Sequence, residues 1–280
     1  MSTASPRISV FPKCYFDLLY RGEMDYVSWI RDAATLGGEG VEHYDGFFRS
    51  FDAADVDPVL AAMADTDQVS SMLCFSPDFT HPDAAERARQ VGRQKAAIDL
   101  TVRLGTRFCR TLSGQNRPGL TREDGIERTV DGLRRSLEYA ERHGVVLCLE
   151  NHYKDGTWQY AEFAQPEDIF LEILALVDSP HLGVQYDPSN ALVGGYDPVR
   201  FLEKVIPRVV TMHASDRYFE NGELKHGETG KGQIDYDAIF RILSRARFAG
   251  WISVEDGMNG LDELQRSVEF LKTKRSEYYG

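Results

Sequence analysis

The sequence predicts an α/β fold, a single (β/α)8 barrel of the TIM type, and three observations lead to that prediction. Strand-like apolar runs alternate strictly with helix-like segments along the chain. Eight such pairs in 280 residues average 35 residues each, which suits one strand, one helix and their loops. Strict alternation favours a parallel sheet, and eight uninterrupted repeats favour closure of that sheet into a barrel. We therefore expect one domain over residues 1–280.

The predicted elements follow one another in a regular order. Short apolar runs bounded by glycine or polar clusters are typical of buried strands, and they occupy residues 8–11, 40–43, 69–75, 106–111, 145–149, 182–186, 209–212 and 250–254. The helices that follow them are predicted over 24–36, 56–64, 82–104, 122–143, 166–177, 198–205, 236–245 and 261–274. An open, doubly wound sheet is the alternative fold. It would need a glycine-rich turn after the first strand, and residues 11–15 contain no glycine.

The amino-acid composition indicates which classes of molecule the protein can bind. The chain has 32 Lys and Arg against 44 Asp and Glu, a net charge of −12, which repels nucleic-acid backbones and anionic membranes. No apolar run reaches the length of a membrane-spanning helix, and the first residues lack the apolar core of a signal peptide. The four cysteines are scattered without a CxxC pair. We expect a cytoplasmic protein with reduced cysteines that binds neither nucleic acid nor membrane.

Four consecutive predicted strands, the fifth to the eighth, each run into a residue that can bind a metal ion. These residues are Glu150, Asp187, His213 and Glu255, separated by 37, 26 and 42 residues. The carboxyl ends of barrel strands meet at one face, so the four side chains should converge there. Any one of them alone could equally cap a strand or pair with a neighbouring Arg or Lys. Four in succession favour a shared site.

Three carboxylates and one imidazole form a hard, oxygen-rich set of donors. Without a cation the carboxylates would repel one another, which is the main physical reason to expect a divalent ion. This donor set suits Mn²⁺, Mg²⁺ or Co²⁺ better than a structural zinc site, which favours Cys and His ligands. We expect one divalent ion, Mn²⁺ first, with Mg²⁺, Co²⁺ or Zn²⁺ as alternatives.

The strand endings LENHY, QYDPSN, TMHASD and SVEDG, with GETGKGQIDYDAIF between the last two, resemble the xylose isomerase-like TIM-barrel superfamily. That superfamily includes ketose 3-epimerases, hydroxypyruvate isomerase and inosose dehydratase, with endonuclease IV as a more distant relative. The resemblance is tightest over residues 144–257. It implies that Glu150, Asp187, His213 and Glu255 are the metal ligands. It also implies that Glu150 and Glu255 act as the acid/base pair on opposite faces of a substrate, through a metal-stabilised enediolate.

One departure from the family pattern concerns the residues after Asp187. The epimerases usually carry a histidine there, where this chain has Pro188-Ser189-Asn190. Asn190 can hydrogen-bond a sugar hydroxyl but cannot act as an acid. Endonuclease IV also needs additional histidines, including one at this place, so their absence and the net charge of −12 count against DNA repair.

Further candidates for contact with a substrate lie on the loops that follow the strands. We predict His152, Asn190, Arg217, His226 and Glu42 as substrate-binding residues. A structural role is the alternative for each: His152 as a loop histidine, Arg217 as a partner of Asp216, and Glu42 with His43 at the entry to a loop. Asp216 is a candidate to orient His213. Lys231 lies in a glycine-rich loop, and Tyr153, Trp158, Phe47 and Phe48 are candidates for an apolar wall.

Three classes of function remain open at this point. The first is a divalent-metal-dependent isomerase or epimerase of a keto-sugar or related polyhydroxy carbonyl compound. The second is a lyase with the same metal and base, of the inosose or dehydroshikimate dehydratase type or one that eliminates a group from an oxidised glycoside. The third is a non-catalytic binding protein that a metal stabilises. Barrels of this type commonly associate, so a homo-oligomer is a further expectation.

Overall fold

The computed structural model describes residues 5–256 and 259–280, and eight parallel strands close into a barrel. The barrel strands are β1 (Arg7–Val10), β2 (Gly40–Tyr44), β3 (Val69–Cys74), β4 (Phe108–Thr111), β5 (Val146–Glu150), β6 (Leu182–Tyr186), β7 (Val209–Ala214) and β10 (Trp251–Val254). They neighbour one another in chain order, and β10 pairs with both β7 and β1. The predicted fold, a single (β/α)8 TIM barrel, is confirmed.

Helices follow the strands along the chain. They are α1 (Phe16–Tyr20), α2 (Tyr26–Thr35), α3 (Ala53–Asp65), α4 (Ala84–Arg103), α5 (Arg122–Arg142), α6 (Glu167–Leu176), α7 (Pro188–Val193), α8 (Pro198–Val205), α9 (Tyr236–Arg245) and α10 (Leu261–Tyr279). Each predicted helix is present within a few residues of its predicted ends. No helix in the described part of the chain is both long and apolar enough to span a membrane.

The sequence interpretation missed α1, α7 and a β-hairpin, and the last two each have a local signal. The short helix α7 begins where the Asp187 side chain accepts the backbone N–H of Asn190, with Pro188 in its first turn. Strands β8 (Asp216–Glu220) and β9 (Glu223–Gly227) form an antiparallel hairpin. Its loop is Asn221-Gly222, with φ of 53° and 84°, so the Asn-Gly pair of a type I′ turn marks it.

The core lies inside the barrel and between the barrel and its helices, and it also fixes the loops of the active face. Two glycines in the interior of α5 allow close approach of loop aromatics. A Cβ on Gly132 would lie 2.4 Å from the Phe79 ring, and one on Gly125 would lie 2.2 Å from the Phe163 ring. Phe79 belongs to the loop after β3 and Phe163 to the loop after β5, so both loops are packed onto α5.

Asp216 organises the loop that follows the hairpin. Its carboxylate accepts the backbone N–H groups of Gly230, Gly232 and Ile234. Among the described residues its side chain has no hydrogen bond to His213, so the predicted role of Asp216 in orienting that histidine is not what the structure shows. The carboxylate instead accepts hydrogen bonds from backbone N–H groups that have no carbonyl partner within their own loop.

Candidate metal centre and cavity

Four side chains at the carboxyl ends of successive barrel strands converge on one point. Glu150 ends β5, Asp187 and Glu255 directly follow β6 and β10, and His213 lies near the end of β7. All four are buried, and one ligand atom from each lies within 4.8 Å of those of the other three. We call Glu150, Asp187, His213 and Glu255 the ligand cluster.

His213 presents Nδ1 to the three carboxylates. This nitrogen lies 3.1 Å from Glu150 Oε1, 3.1 Å from Glu255 Oε2 and 3.9 Å from Asp187 Oδ2. Burial alone would lower the pKa of His213, but the charges of Glu42, Glu255 and Glu150 outweigh it and hold that pKa well above its usual value. The pocket therefore attracts positive charge strongly. Three buried carboxylate oxygens and one imidazole nitrogen at this spacing fit a divalent cation.

The opposite nitrogen of His213 is held by Glu42, which lies on β2. Glu42 Oε1 is 2.7 Å from His213 Nε2, and the Gln185 side-chain amide lies beside the same nitrogen. An ionised carboxylate can only accept, so Glu42 keeps a proton on Nε2 and leaves Nδ1 to face the ligand cluster. Glu42 is fully buried and also accepts a hydrogen bond from Cys74. Glu42 therefore lies where it can orient His213, and its contact with a substrate stays a prediction.

In each glutamate of the ligand cluster, the second carboxylate oxygen accepts a hydrogen bond from a cationic side chain. Glu150 Oε2 accepts from Arg110 Nη1 at 3.0 Å, and Glu255 Oε1 accepts from Lys13 Nζ at 3.1 Å. Burial opposes ionisation of both carboxyls. For Glu150 the nearby charges of His152, His213 and Arg110 lower the pKa below its usual value, and for Glu255 those of Lys13 and His213 lower it well below.

The sequence interpretation missed Arg110 and Lys13 although both carry a signal. Arg110 is a charged residue inside a short apolar strand, where it must have a partner. Lys13 follows the first strand closely, on the face where loops build the site. The Arg110 guanidinium is further held by Ser76 Oγ at 2.8 Å and Asp155 Oδ2 at 3.5 Å.

Asp187 differs from the two glutamates because, among the described residues, no Lys or Arg side chain contacts its carboxylate directly. Its Oδ1 accepts the backbone N–H of Asn190 at 2.9 Å and the Ser215 hydroxyl at 2.7 Å. Burial, together with the charges of Glu255 and Glu150, raises the pKa of Asp187 to about 6. The Asn190 side chain donates from Nδ2 to Glu150 Oε1 at 3.3 Å, which ties the start of α7 to the cluster.

A cavity of about 300 Å³ opens beside the cluster. Three of the predicted substrate contacts line it: His152, Asn190 and His226. Arg217 and Glu42 do not, since Arg217 lies behind the lining residues and Glu42 lies behind His213. Of the predicted aromatic wall only Tyr153 lines this cavity, where the other aromatics are Phe11, Phe16 and Tyr44. The described wall is thus built mainly by the segments that follow β1, β5 and β6.

His152 is held at the cavity wall by a second carboxylate. Its Nδ1 lies 3.4 Å from Glu162 Oε2, and its ring stacks on Tyr153 with centroids 5.6 Å apart. Burial would lower the pKa of His152, but the charges of Glu150 and Glu162 raise it. Glu162 is itself fixed by the backbone N–H and the hydroxyl of Ser113. The imidazole is therefore positioned at the wall before any substrate binds.

Comparisons with known proteins agree with this geometry. A family model described as a xylose isomerase-like TIM barrel matches residues 30–274. The chain is 27% identical over 180 residues to an inosose dehydratase of Bacillus thuringiensis (strain Al Hakam), covering 57% of this chain and 58% of that protein. It is 32% identical over 144 residues to an inosose dehydratase of Geobacillus kaustophilus, covering 46% of this chain and 44% of that protein. The matches thus span less than two thirds of these relatives.

Solved structures resemble the chain over almost its whole length. A D-tagatose 3-epimerase-like protein superposes with a TM-score of 0.80 at 18% identity, covering 97% of this chain and 98% of that one. A probable 3-DHS dehydratase from Bacillus anthracis superposes with a TM-score of 0.76 at 18% identity, covering 95% and 98%. At such identities the likeness shows a shared barrel fold.

Proposed function

This chain belongs to the xylose isomerase-like TIM-barrel family, and from that premise we propose that it is a divalent-metal-dependent isomerase or epimerase of a keto-sugar or related polyhydroxy carbonyl compound. The observation that carries the proposal is the ligand cluster, in which four buried donor atoms lie within 4.8 Å of one another beside a cavity. Epimerases and dehydratases both occur among the related proteins. The reaction must therefore be argued from the residues of this chain.

The ligand cluster would hold the cation through Glu150, Asp187, His213 and Glu255. When bound, a divalent ion supplies electrophilic polarisation of a carbonyl, which makes the neighbouring C–H more acidic. The protein's own contribution is a pair of carboxylates that are already ionised. Glu255 borders the cavity and can accept a proton from the substrate carbon, and Glu150 is the second carboxylate through which a proton can be exchanged.

Other residues of the chain would bind and orient the substrate. Asn190 and His152 border the cavity with hydrogen-bonding side chains suited to hydroxyl groups. Phe11, Phe16 and Tyr44 form an apolar surface that a carbon skeleton can cover. Their packing on one another leaves the wall preformed, with Phe16 and Tyr44 ring centroids 5.1 Å apart.

The direct test is exchange of a carbon-bound proton with solvent. Purified protein with added Mn²⁺ is incubated in D₂O with a panel of ketoses, keto-polyols and keto-sugar acids, and deuterium in recovered substrate or isomer is followed by NMR. We expect incorporation at the carbon next to the carbonyl for at least one compound. The exposed Glu203→Gln change on α8 is the control that should leave the rate unaltered. No exchange by metal-loaded protein over a broad panel would favour the non-catalytic binding protein.

A dehydratase is the second candidate, and a specific observation favours it. Lys13 places an N–H donor 3.1 Å from Glu255, so a base and a donor lie together on one side of the cavity. Loss of water needs a proton for the departing hydroxyl group, and inosose dehydratases are among the proteins that match by sequence. An enone that absorbs in the ultraviolet would identify this reaction, whereas deuterated isomers without dehydrated product would identify isomerisation.

A further inference from the structure

One corner of the cavity is unusually basic. Lys13 and His226 line it, and Arg217 lies directly behind His226 and Tyr153. The three come from different elements: the loop after β1, strand β8 and strand β9. We call Lys13, Arg217 and His226 the basic corner. None of the three serves as a ligand in the cluster described above.

Arg217 is a buried guanidinium without a carboxylate partner in residues 5–256 and 259–280. Only 5% of the residue is exposed, and its Nε has no hydrogen-bond acceptor there. Its contacts are the face of the Tyr153 ring, 5.1 Å from the centroid, and His226 Nε2 at 3.3 Å. Buried arginines normally pair with an acid. The positive charge of Arg217 is therefore uncompensated locally and directed at the corner.

The contact with Arg217 fixes the tautomer of His226. A guanidinium can only donate, so His226 Nε2 must accept and the ring proton of the neutral imidazole must lie on Nδ1. Nδ1 is buried and has no partner in the described structure. Burial, with the charges of Lys13 and Arg217, lowers the pKa of His226 to about 4, which agrees with a neutral ring. His226 thus lines the cavity and holds a buried N–H donor that has no acceptor in the described structure.

Lys13 adds further donors to the same corner. Its side chain is 25% exposed and gives one hydrogen bond to Glu255, so an ammonium group with three N–H bonds keeps donors free. Glu255 is also a member of the ligand cluster, so its charge is shared between Lys13 and the centre. The corner then contains two full positive charges and only one carboxylate, which is itself shared.

We propose that the basic corner binds a carboxylate group of the substrate, so that the substrate is a polyhydroxy carbonyl acid and not a neutral sugar. The inference rests on the proposed function, since it concerns a second group of the same substrate. Lys13 Nζ and His226 Nδ1 donate to the carboxylate, and Arg217 is a positioning residue that sets the His226 tautomer and contributes long-range charge. A hydroxyl could accept the same hydrogen bonds but would leave the positive charge unbalanced.

The experiment compares two probes that differ only at one end. D-Gluconate and D-glucitol share the carbon chain and hydroxyl groups, but the first ends in a carboxylate and the second in a hydroxymethyl group. Binding is measured by calorimetry with and without Mn²⁺, because gluconate also chelates metals. We expect gluconate to bind about tenfold more tightly than glucitol in both states, as hydrogen bonds to a charged group predict.

Variants of the basic corner distinguish binding of gluconate by the corner from chelation of Mn²⁺ by gluconate. Lys13→Met and His226→Phe should each reduce the preference for gluconate severalfold and leave glucitol binding nearly constant. Lys154→Met is the matched control, since Lys154 also lines the cavity but lies outside the corner, and it should keep the full preference. Thermal melting checks folding, and His226→Phe leaves the Lys13–Glu255 pair intact.

The inference is overturned if gluconate binds no better than glucitol, or if the preference is the same in wild type, Lys13→Met and His226→Phe. A preference that appears only with Mn²⁺ and survives all variants is chelation, and it also contradicts the inference. These results are independent of turnover. If the preference for gluconate depends on the basic corner but no deuterium exchange is seen, the carboxylate site stands and the proposed function is refuted. If exchange is seen without a preference for gluconate, the proposed function stands and the carboxylate site is refuted.

Discussion

The two halves of the barrel supply different parts of the site. The closing half, from β5 to β10, provides the ligand cluster. The opening half, from β1 to β4, provides side chains that each contact one member of it: Lys13 on Glu255, Glu42 on His213 and Arg110 on Glu150. The difference teaches that the ligands come from one half and that Lys13, Glu42 and Arg110, the charged side chains in direct contact with them, come from the other. Predictions about each half can therefore be tested separately.

The largest effect should follow a change in the closing half. Glu255→Gln keeps the shape of the side chain but removes its basicity, and Glu150→Gln does the same for the other carboxylate. We expect either change to lower the rate of substrate deuterium exchange by about 10²–10⁴-fold, the contribution of a general base. Exchange is measured by NMR at saturating Mn²⁺ so that weaker metal binding is not limiting. Near-wild-type exchange in both variants would remove the acid/base assignment.

The next effect concerns the opening half and is one of stability. Arg110 is 4% exposed and pairs with the fully buried Glu150. Arg110→Met leaves a buried carboxylate without its cation, so we expect the free energy of unfolding to fall by about 3 kcal/mol or more. Urea unfolding of metal-free protein measures this. The control is Arg103→Met, which breaks the more exposed pair with Asp57 and should cost less than about 1 kcal/mol. Equal losses in both variants would contradict the comparison.

A third prediction tests whether the opening half tunes the cluster at all. Glu42 holds His213 from the side away from the other ligands. Glu42→Gln should weaken Mn²⁺ binding by about 10–100-fold, as changes behind a metal-bound histidine commonly do. Titration calorimetry provides the dissociation constant, with Glu203→Gln as the exposed control. Unchanged affinity would mean that Glu42 merely fills the barrel interior.

Much of the fold and the ligand cluster could be predicted from the sequence because the signals lie in short, contiguous stretches of residues. The strand that precedes Glu150 is an apolar run that ends in a charge, and the same pattern repeats at Asp187, His213 and Glu255. The hairpin was also predictable from Asn221-Gly222, but the predicted elements leave residues 213–235 without a strand.

The partners of the cluster could not be predicted in the same way, because they depend on distances between remote strands. Glu42 and His213 are 171 positions apart, and Lys13 and Glu255 are 242 apart. Nothing local to Glu42 shows whether its side chain enters the cavity or turns behind a ligand. That choice is made by barrel closure, which brings Glu42 on β2 within 2.7 Å of His213 on β7 across the barrel interior.

Two buried histidines sharpen the comparison between the halves. His213 lies among carboxylates, whereas His43 on β2 lies between the Tyr26 hydroxyl, 2.6 Å from Nδ1, and the Ser70 hydroxyl, 2.9 Å from Nε2. With no charged partner in these contacts, burial lowers the pKa of His43 to about 3. The side chain of His43 packs towards α2 and Phe48.

The lowered pKa of His43 determines how the stability of the protein changes with pH, which is the smallest predicted effect. Because the unfolded chain binds a proton near pH 6.5 and the folded protein does not until about pH 3, the stability contributed by neutral His43 is present above pH 6.5 and is lost as pH falls. Between pH 7 and pH 5 the loss should be about 2 kcal/mol. His43→Phe should remove that part of the pH dependence, measured as the difference between the two urea-unfolding profiles of metal-free protein. Parallel profiles would show that His43 binds a proton with the same pKa in the folded and unfolded states, and the contrast with His213 would then be lost.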